Sequence, residues 1–146
     1  MSDALSELNF KDDLDKVLLT SDAQRWKLEK TGPLEILVSL SPINMAEDVF
    51  QARLLWSAYP AQPPSLKFRD PATGRLDVKS AWPLAGGLRP DSLDACVSWC
   101  AEGFSLHPEW RTDPRYMWKS DGNVLLKVIR TLQERMDNTF QGRFKG

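Results

Sequence analysis

Three prolines in five residues, Pro60, Pro63 and Pro64, constrain this chain more than any other feature of it. Each fixes φ at about −65°, removes a backbone donor and biases the preceding residue away from helix. Neither a helix nor a central strand can run through Tyr59-Pro-Ala-Gln-Pro-Pro-Ser-Leu-Lys-Phe68. The prolines predict a stiff, polyproline-like corner. Ser65–Arg69, directly after it, reads as a strand, so a sheet can end one strand at the corner, turn and resume.

The flanking patterns supply the rest of that sheet. Leu34, Ile36, Val38 and Leu40 alternate with Glu35 and Ser39, the period of a half-buried strand over Leu34–Leu40. Val49–Trp56 repeats the pattern, with Phe50, Ala52, Leu54 and Trp56 on one side and Gln51 and Arg53 on the other. A further strand is expected around Trp26 and Leu28 within Gln24–Lys30, followed by a turn at Thr31-Gly32-Pro33. Ser41–Asp48 reads as a loop. Ahead of these, Phe10, Leu14, Val17 and Leu18 fall on one face of a helix spanning about Ser2 to Asp22. At the other end, Leu125, Val128, Ile129, Leu132 and Met136 define a second helix, capped by Asp121 or Asn123 and ending near Phe140–Gly142. A helix, about four antiparallel strands and a closing helix make an α+β order. Between them, Asp70–Leu93 reads as irregular, Leu93–Cys100 as a short apolar strand or turn, and Glu102–Met117 as rich in turn formers and aromatics. So long an irregular stretch in a small domain is a mark of function.

A chain of 146 residues is expected to form one domain over 1–146. Its net charge of −1 offers no electrostatic footprint for nucleic acid or for an anionic membrane surface. No apolar run reaches the roughly 20 residues of a membrane span. The N-terminus, Met-Ser-Asp-Ala-Leu-Ser-Glu, lacks the basic and apolar regions of a secretory signal. Cys96 and Cys100 do not make a disulfide framework, so a reducing cytoplasm is the expected compartment. No cofactor is expected: there is no Gly-rich phosphate loop, no paired catalytic carboxylates and no Ser/His/Asp arrangement. Cys96, Cys100 and His107 offer three soft zinc ligands but lack a fourth and the usual spacing.

Tyr59-Pro-x-x-Pro-Pro between two strands, followed by an apolar-basic-aromatic strand, resembles the signature of the ubiquitin-conjugating (UBC-like) fold. Ala95-Cys96-Val97 resembles that family's nucleophile tripeptide, Trp118 its tryptophan ahead of the crossing helix, and Val124–Ile129 the start of that helix. The likeness runs in order from the first helix to the last. It implies an N-terminal helix, a four-stranded meander, the proline corner, an irregular active-site region and a C-terminal crossing helix. Three departures accompany it. Ala81-Trp-Pro-Leu-Ala-Gly-Gly87 stands where a His-Pro-Asn motif is expected, and Glu102–Met117 reads as an insertion between Cys96 and Trp118. No helical pattern follows Phe140–Gly142, where the eukaryotic enzymes have two more helices. The chain is in this respect similar to divergent bacterial ubiquitin-conjugating-like proteins. The resemblance then implies an activating enzyme, a ubiquitin-like protein and a JAB-type peptidase as partners, in systems associated with phage defence.

By that resemblance Cys96 carries the ubiquitin-like protein as a thioester. Transthioesterification needs an exposed sulfur on a rigid support that can become thiolate. Aminolysis of the thioester passes through an oxyanion that needs a donor. Asn123, His107 and the backbone N–H groups of Gly86-Gly87 are all open for that role. His107, the only histidine, is also suited to activating the thiol or deprotonating the incoming lysine. Lys11 and Lys16 on the first helix are candidate contacts for the activating enzyme. Each has a plainer reading: Cys96 as a small buried hydrophobe, His107-Pro108 as a turn, Asn123 as a helix cap, and the lysines as a solvated helix face. The alternative to an enzyme is a non-catalytic UBC-variant or RWD-like adaptor.

Overall fold

The computed structural model describes residues 3–146. Its first helix, α1, spans Ala4–Val17, with Asp3 as N-cap accepting from the Ser6 amide and Phe10, Leu14 and Val17 turned inward. The helix stops short of Asp22 because Thr20 is extended and its hydroxyl takes the Val17 carbonyl. Leu18, expected on the buried face, is therefore 55% exposed. Ser2 lies outside the described residues.

A 3-10 turn over Ser21–Arg25 leads into β1 (Lys27–Gly32), followed by β2 (Glu35–Leu40), β3 (Phe50–Leu55) and β4 (Ser65–Arg69). The four form one antiparallel sheet in sequence order. β1 begins later than the sequence suggests, after Trp26 rather than around it. It also runs through Thr31 and Gly32, with the turn displaced to Pro33–Leu34 and a register shift between Lys30 and Gly32. The expected alternation holds in β2 and β3: Ile36, Val38, Leu40, Phe50, Ala52 and Leu54 are all buried. Leu66 and Phe68 continue that face in β4.

The last helix, α3 (Val124–Thr139), buries Val124, Leu125, Val128, Ile129, Leu132 and Met136 in the same core as α1 and the inner sheet face. Asn123, not Asp121, caps it: its Oδ1 accepts from the Leu126 amide at 3.0 Å. One polar residue, Gln133, shares the buried face. Its amide joins the Trp26 indole N–H to the Ser41 carbonyl and Asp137, so no hydrogen-bonding group is stranded there.

The proline corner joins these layers. The Tyr59 backbone N–H donates to Ser6 Oγ on α1, and its hydroxyl donates to Asp13 and accepts from the Leu125 amide of α3. The Trp118 indole donates to the Pro60 carbonyl at 3.0 Å. The ring of Tyr59 packs edge-on against Phe10 and Trp56. One aromatic thus ties both helices to the end of β3.

Glu102–Met117 holds more order than its composition suggests: a six-residue helix, α2 (Ala101–Leu106), and a 3-10 turn over Pro108–Arg111. α2 covers the free edge of β4. Glu102 accepts from the Leu66 amide and the Ser65 hydroxyl, and the Ala101 amide donates to the Pro64 carbonyl. α2 leaves little mark on a stretch rich in turn formers and aromatics because a glycine sits in its middle and its apolar pattern is only one turn long. Asp70–Leu93 is irregular as expected, apart from a 3-10 turn at Lys79–Ala81 and β5 (Leu88–Arg89), which pairs with β6 (Asp94–Ala95).

Candidate active site

β5 and β6 form a two-residue ladder, Leu88 opposite Ala95 and Arg89 opposite Asp94, and the Cys96 amide extends it by donating to the Gly87 carbonyl at 2.8 Å. Strand alternation then sorts the side chains. Leu88, Ala95 and Val97 are buried, while Arg89, Asp94 and Cys96 lie on the outward side. Cys96 is half-buried there and Arg89 is exposed. Arg89 makes a two-pronged pair with Asp94, with Nε at 2.7 Å. That bond raises the guanidinium above its ordinary range, and a negative sulfur at Cys96 adds to the effect. A cation already paired with Asp94 thus shares the outward face with Cys96.

Two glycines hold the Cys96 segment from opposite sides. Gly87, at φ +83°, leaves no room for a Cβ: one placed there would stand 2.5 Å from Val97 Cγ1. The preceding carbonyl, that of Gly86, accepts from Arg135 Nη1 at 3.1 Å, and the Gly86 amide donates to Thr139 Oγ1 at 2.8 Å. The last turns of α3 thereby fix the Gly86-Gly87 segment, to whose Gly87 carbonyl the Cys96 amide bonds. On the other side Gly103 of α2 lies directly against the backbone of Val97.

Cys100 differs in every respect. It is fully buried, its sulfur faces the Ala95 carbonyl at 3.5 Å, and burial pushes its thiol from 9.0 up to about 12. The sign of its pH effect follows. Below about 9 the thiol is protonated in both folded and unfolded chains, and its contribution is intact. Above that, the unfolded chain releases the proton first, so stability falls as pH rises toward about 12. Urea unfolding from pH 8 to 11 is expected to show a steeper alkaline loss for the native chain than for Cys100→Ala, with a difference on the order of a few kcal/mol at the top of the range.

The other residues that sequence reasoning singled out go elsewhere. His107 closes α2, its ring stacked on Trp110 at 4.3 Å and its Nδ1 3.5 Å from Glu109. Asn123 uses its oxygen on the Leu126 amide and its nitrogen on the Asp13 carbonyl, joining α3 to α1. Asn123→Ala is therefore expected to cost about 1–2 kcal/mol in urea unfolding, with Asn123→Ser, which keeps a capping oxygen, recovering about half. The Gly86 amide, a candidate oxyanion donor, is taken by Thr139. Lys11 and Lys16 lie exposed on α1, Lys11 paired with Asp15 at 3.2 Å. Among the described residues, no three His, Cys, Asp or Glu side chains gather as a metal site, and no helix is long and apolar enough to cross a membrane.

Arg89 escaped the sequence reading. The available signal was Leu-Arg-Pro-Asp-Ser-Leu-Asp-Ala-Cys, a tight turn flanked by residues whose alternation places Arg89 on the side of Cys96. Beside this segment a cleft of about 230 Å³ opens two residues beyond Cys96. Ser98 and Trp99 form one wall, Tyr116 and Trp118 another, and Val124 and Lys127 of α3 the third. No family model, no curated protein and no solved structure matches the chain.

Proposed function

We propose that the chain is a UBC-like carrier that holds a ubiquitin-like protein as a thioester on Cys96. The Cys96 thiolate attacks the acyl carbon of the activating enzyme's thioester; a new C–S bond forms and the enzyme's cysteine leaves as thiolate. An acceptor amine then attacks the Cys96 thioester, loses its proton to water or a base, and releases Cys96. The observation that carries this reading is the half-buried Cys96 sharing the outward face of a clamped hairpin with Arg89. Arg89 is suited to stabilise the oxyanion of the second step, where the missing His-Pro-Asn leaves a gap. The adjacent cleft has room for an extended tail, and the α1 face with Lys11 and Lys16 is the docking side for the activating enzyme. By the same reading the partners are those of a bacterial conjugation system, a ubiquitin-like protein and a JAB-type peptidase, working in the reducing cytoplasm that keeps both thiols free.

Incubating the chain with the activating enzyme, ubiquitin-like protein and ATP, then running a non-reducing gel, tests it. A thiol-sensitive adduct absent from Cys96→Ala is expected, and Cys96→Ser should give a thiol-resistant oxyester. An adduct that survives Cys96→Ala overturns the assignment. A second reading, the adaptor, is favoured by one observation: His107 and Asn123 are both engaged away from Cys96. Stable partner binding without any adduct would establish it.

A further inference from the structure

The sheet has two edges, and the chain covers only one of them. Along β4, α2 supplies partners: Glu102 accepts from the Leu66 amide, and the Ala101 amide donates to the Pro64 carbonyl. β1 has no such cover. Its backbone pairs with β2 and, among the described residues, with nothing on its other side. Lys27, Glu29, Lys30 and Thr31 are exposed, and no proline interrupts the strand. An open strand of this kind is a template for another, and edge lysines normally discourage the pairing by repulsion. β1 instead carries both signs on one face, Lys27 and Glu29. Among the described residues neither of these, nor Lys30, has an ion-pair partner.

A second copy of β1 fits that edge in one register. Two copies joined antiparallel across a two-fold axis keep the same face of the sheet on the same side, so outer-face residues meet only outer-face residues. Lys27 and Glu29 stand opposite Ser39 and Leu37 on the outer face, Leu28 and Lys30 opposite Val38 and Ile36 on the core face. Centring the pair on Lys27, Glu29 or Lys30 sets like charges against each other. Centring it on Leu28 sets Lys27 against Glu29 of the second copy and Glu29 against its Lys27, with the two Leu28 side chains meeting between them. Opposite charges directly across a ladder stabilise it, and like charges weaken it. The regular stretch is itself symmetric about Leu28. It begins at Trp26, extended at φ −122° and ψ 145° after the 3-10 turn, and ends at Lys30, where the register with β2 shifts. Leu28 is half-buried against the core, and the second copy covers its remaining surface.

We propose that the chain forms a two-fold dimer through β1, joining the sheets of two copies into one continuous sheet in the register that pairs Lys27 with Glu29 of the second copy. The contact is one short strand from each copy, so the association is weak, with a dissociation constant on the order of 100 µM. This edge lies on the far side of the sheet from β4 and β6, and the dimer stands whether or not Cys96 carries a thioester.

Sedimentation equilibrium of the full chain at low salt, up to about 1 mM, reads the association. The native chain is expected to dimerise. Lys27→Glu and Glu29→Lys each set like charges against each other at both pairs of that register, and each should weaken the dimer about tenfold. Mixed in equal amounts, the two variants set acid against base at both pairs again, and a heterodimer of native affinity is expected. That recovery also requires both variants to be folded. A native chain that stays monomeric throughout, variants that each dimerise as tightly as the native chain, or a mixture that associates no better than either variant alone would overturn the proposal.

Discussion

Gly103→Ala is expected to lower the unfolding free energy by about 3 kcal/mol or more, a fall of roughly 10 °C in melting temperature for a domain of this size. A methyl at that position would overlap the carbonyl oxygen of Val97 outright, with Val97 C at 2.7 Å and Val97 N at 2.9 Å. Those are backbone atoms, so no rotamer change can relieve the contact and α2 must move away from the Cys96 segment. Gly86→Ala is the matched control. Its nearest neighbour would be Thr139 Oγ1 at 3.4 Å, the far end of a side chain, and a loss below about 1 kcal/mol is expected. Differential scanning calorimetry on the two variants separates them. The account of how Cys96 is held requires the large effect at Gly103 and the small one at Gly86.

The second large effect concerns the two thiols. In the folded chain an alkylating reagent at pH 7.5 is expected to modify Cys96 at least about a thousandfold faster than Cys100. Burial closes access to Cys100 and holds its thiol at about 12, which leaves only a trace of thiolate. Cys96 faces outward beside Arg89. In urea both cysteines should react at similar rates. Peptide-level mass spectrometry after timed quenching reads both sites in one experiment.

The strongly periodic parts of the fold were legible. Alternation in β2 and β3 and the i, i+3, i+4, i+7 stripe of α3 each report one buried face, and the residues on it are buried, with Leu37 of β2 and Gln133 of α3 buried besides. The prolines marked the corner for the same reason: they forbid alternatives. What could not be read was set by contacts that the local hydrophobic pattern does not report. α1 ends where the Thr20 hydroxyl competes for a carbonyl, and β1 is shifted because pairing with β2, not the local pattern around Trp26, sets its register. α2 rests on a glycine that only makes sense against the backbone of Val97.

The candidate site divides in the same way. Cys96 and Cys100, four residues apart, have no local feature that ranks one above the other as an exposed thiol. Their difference comes from β5–β6 pairing, which turns Cys96 outward, while Cys100 faces the Ala95 carbonyl. Arg89 reaches the same face only through that pairing. Asn123 was legible as a cap because capping is local, whereas its second bond, to Asp13 across 110 residues, was not.

Acyl exchange onto the sulfur of Cys96 tests the central claim most directly. The native chain is mixed with a peptide ending in Gly-Gly as an alkyl thioester and followed by intact mass at neutral pH. The account predicts a single hydroxylamine-sensitive peptide adduct, located at Cys96, formed faster than in the urea-unfolded chain and more slowly in Arg89→Ala. No adduct on the native chain, an adduct at Cys100, or a rate no greater than that of the unfolded thiol would contradict it.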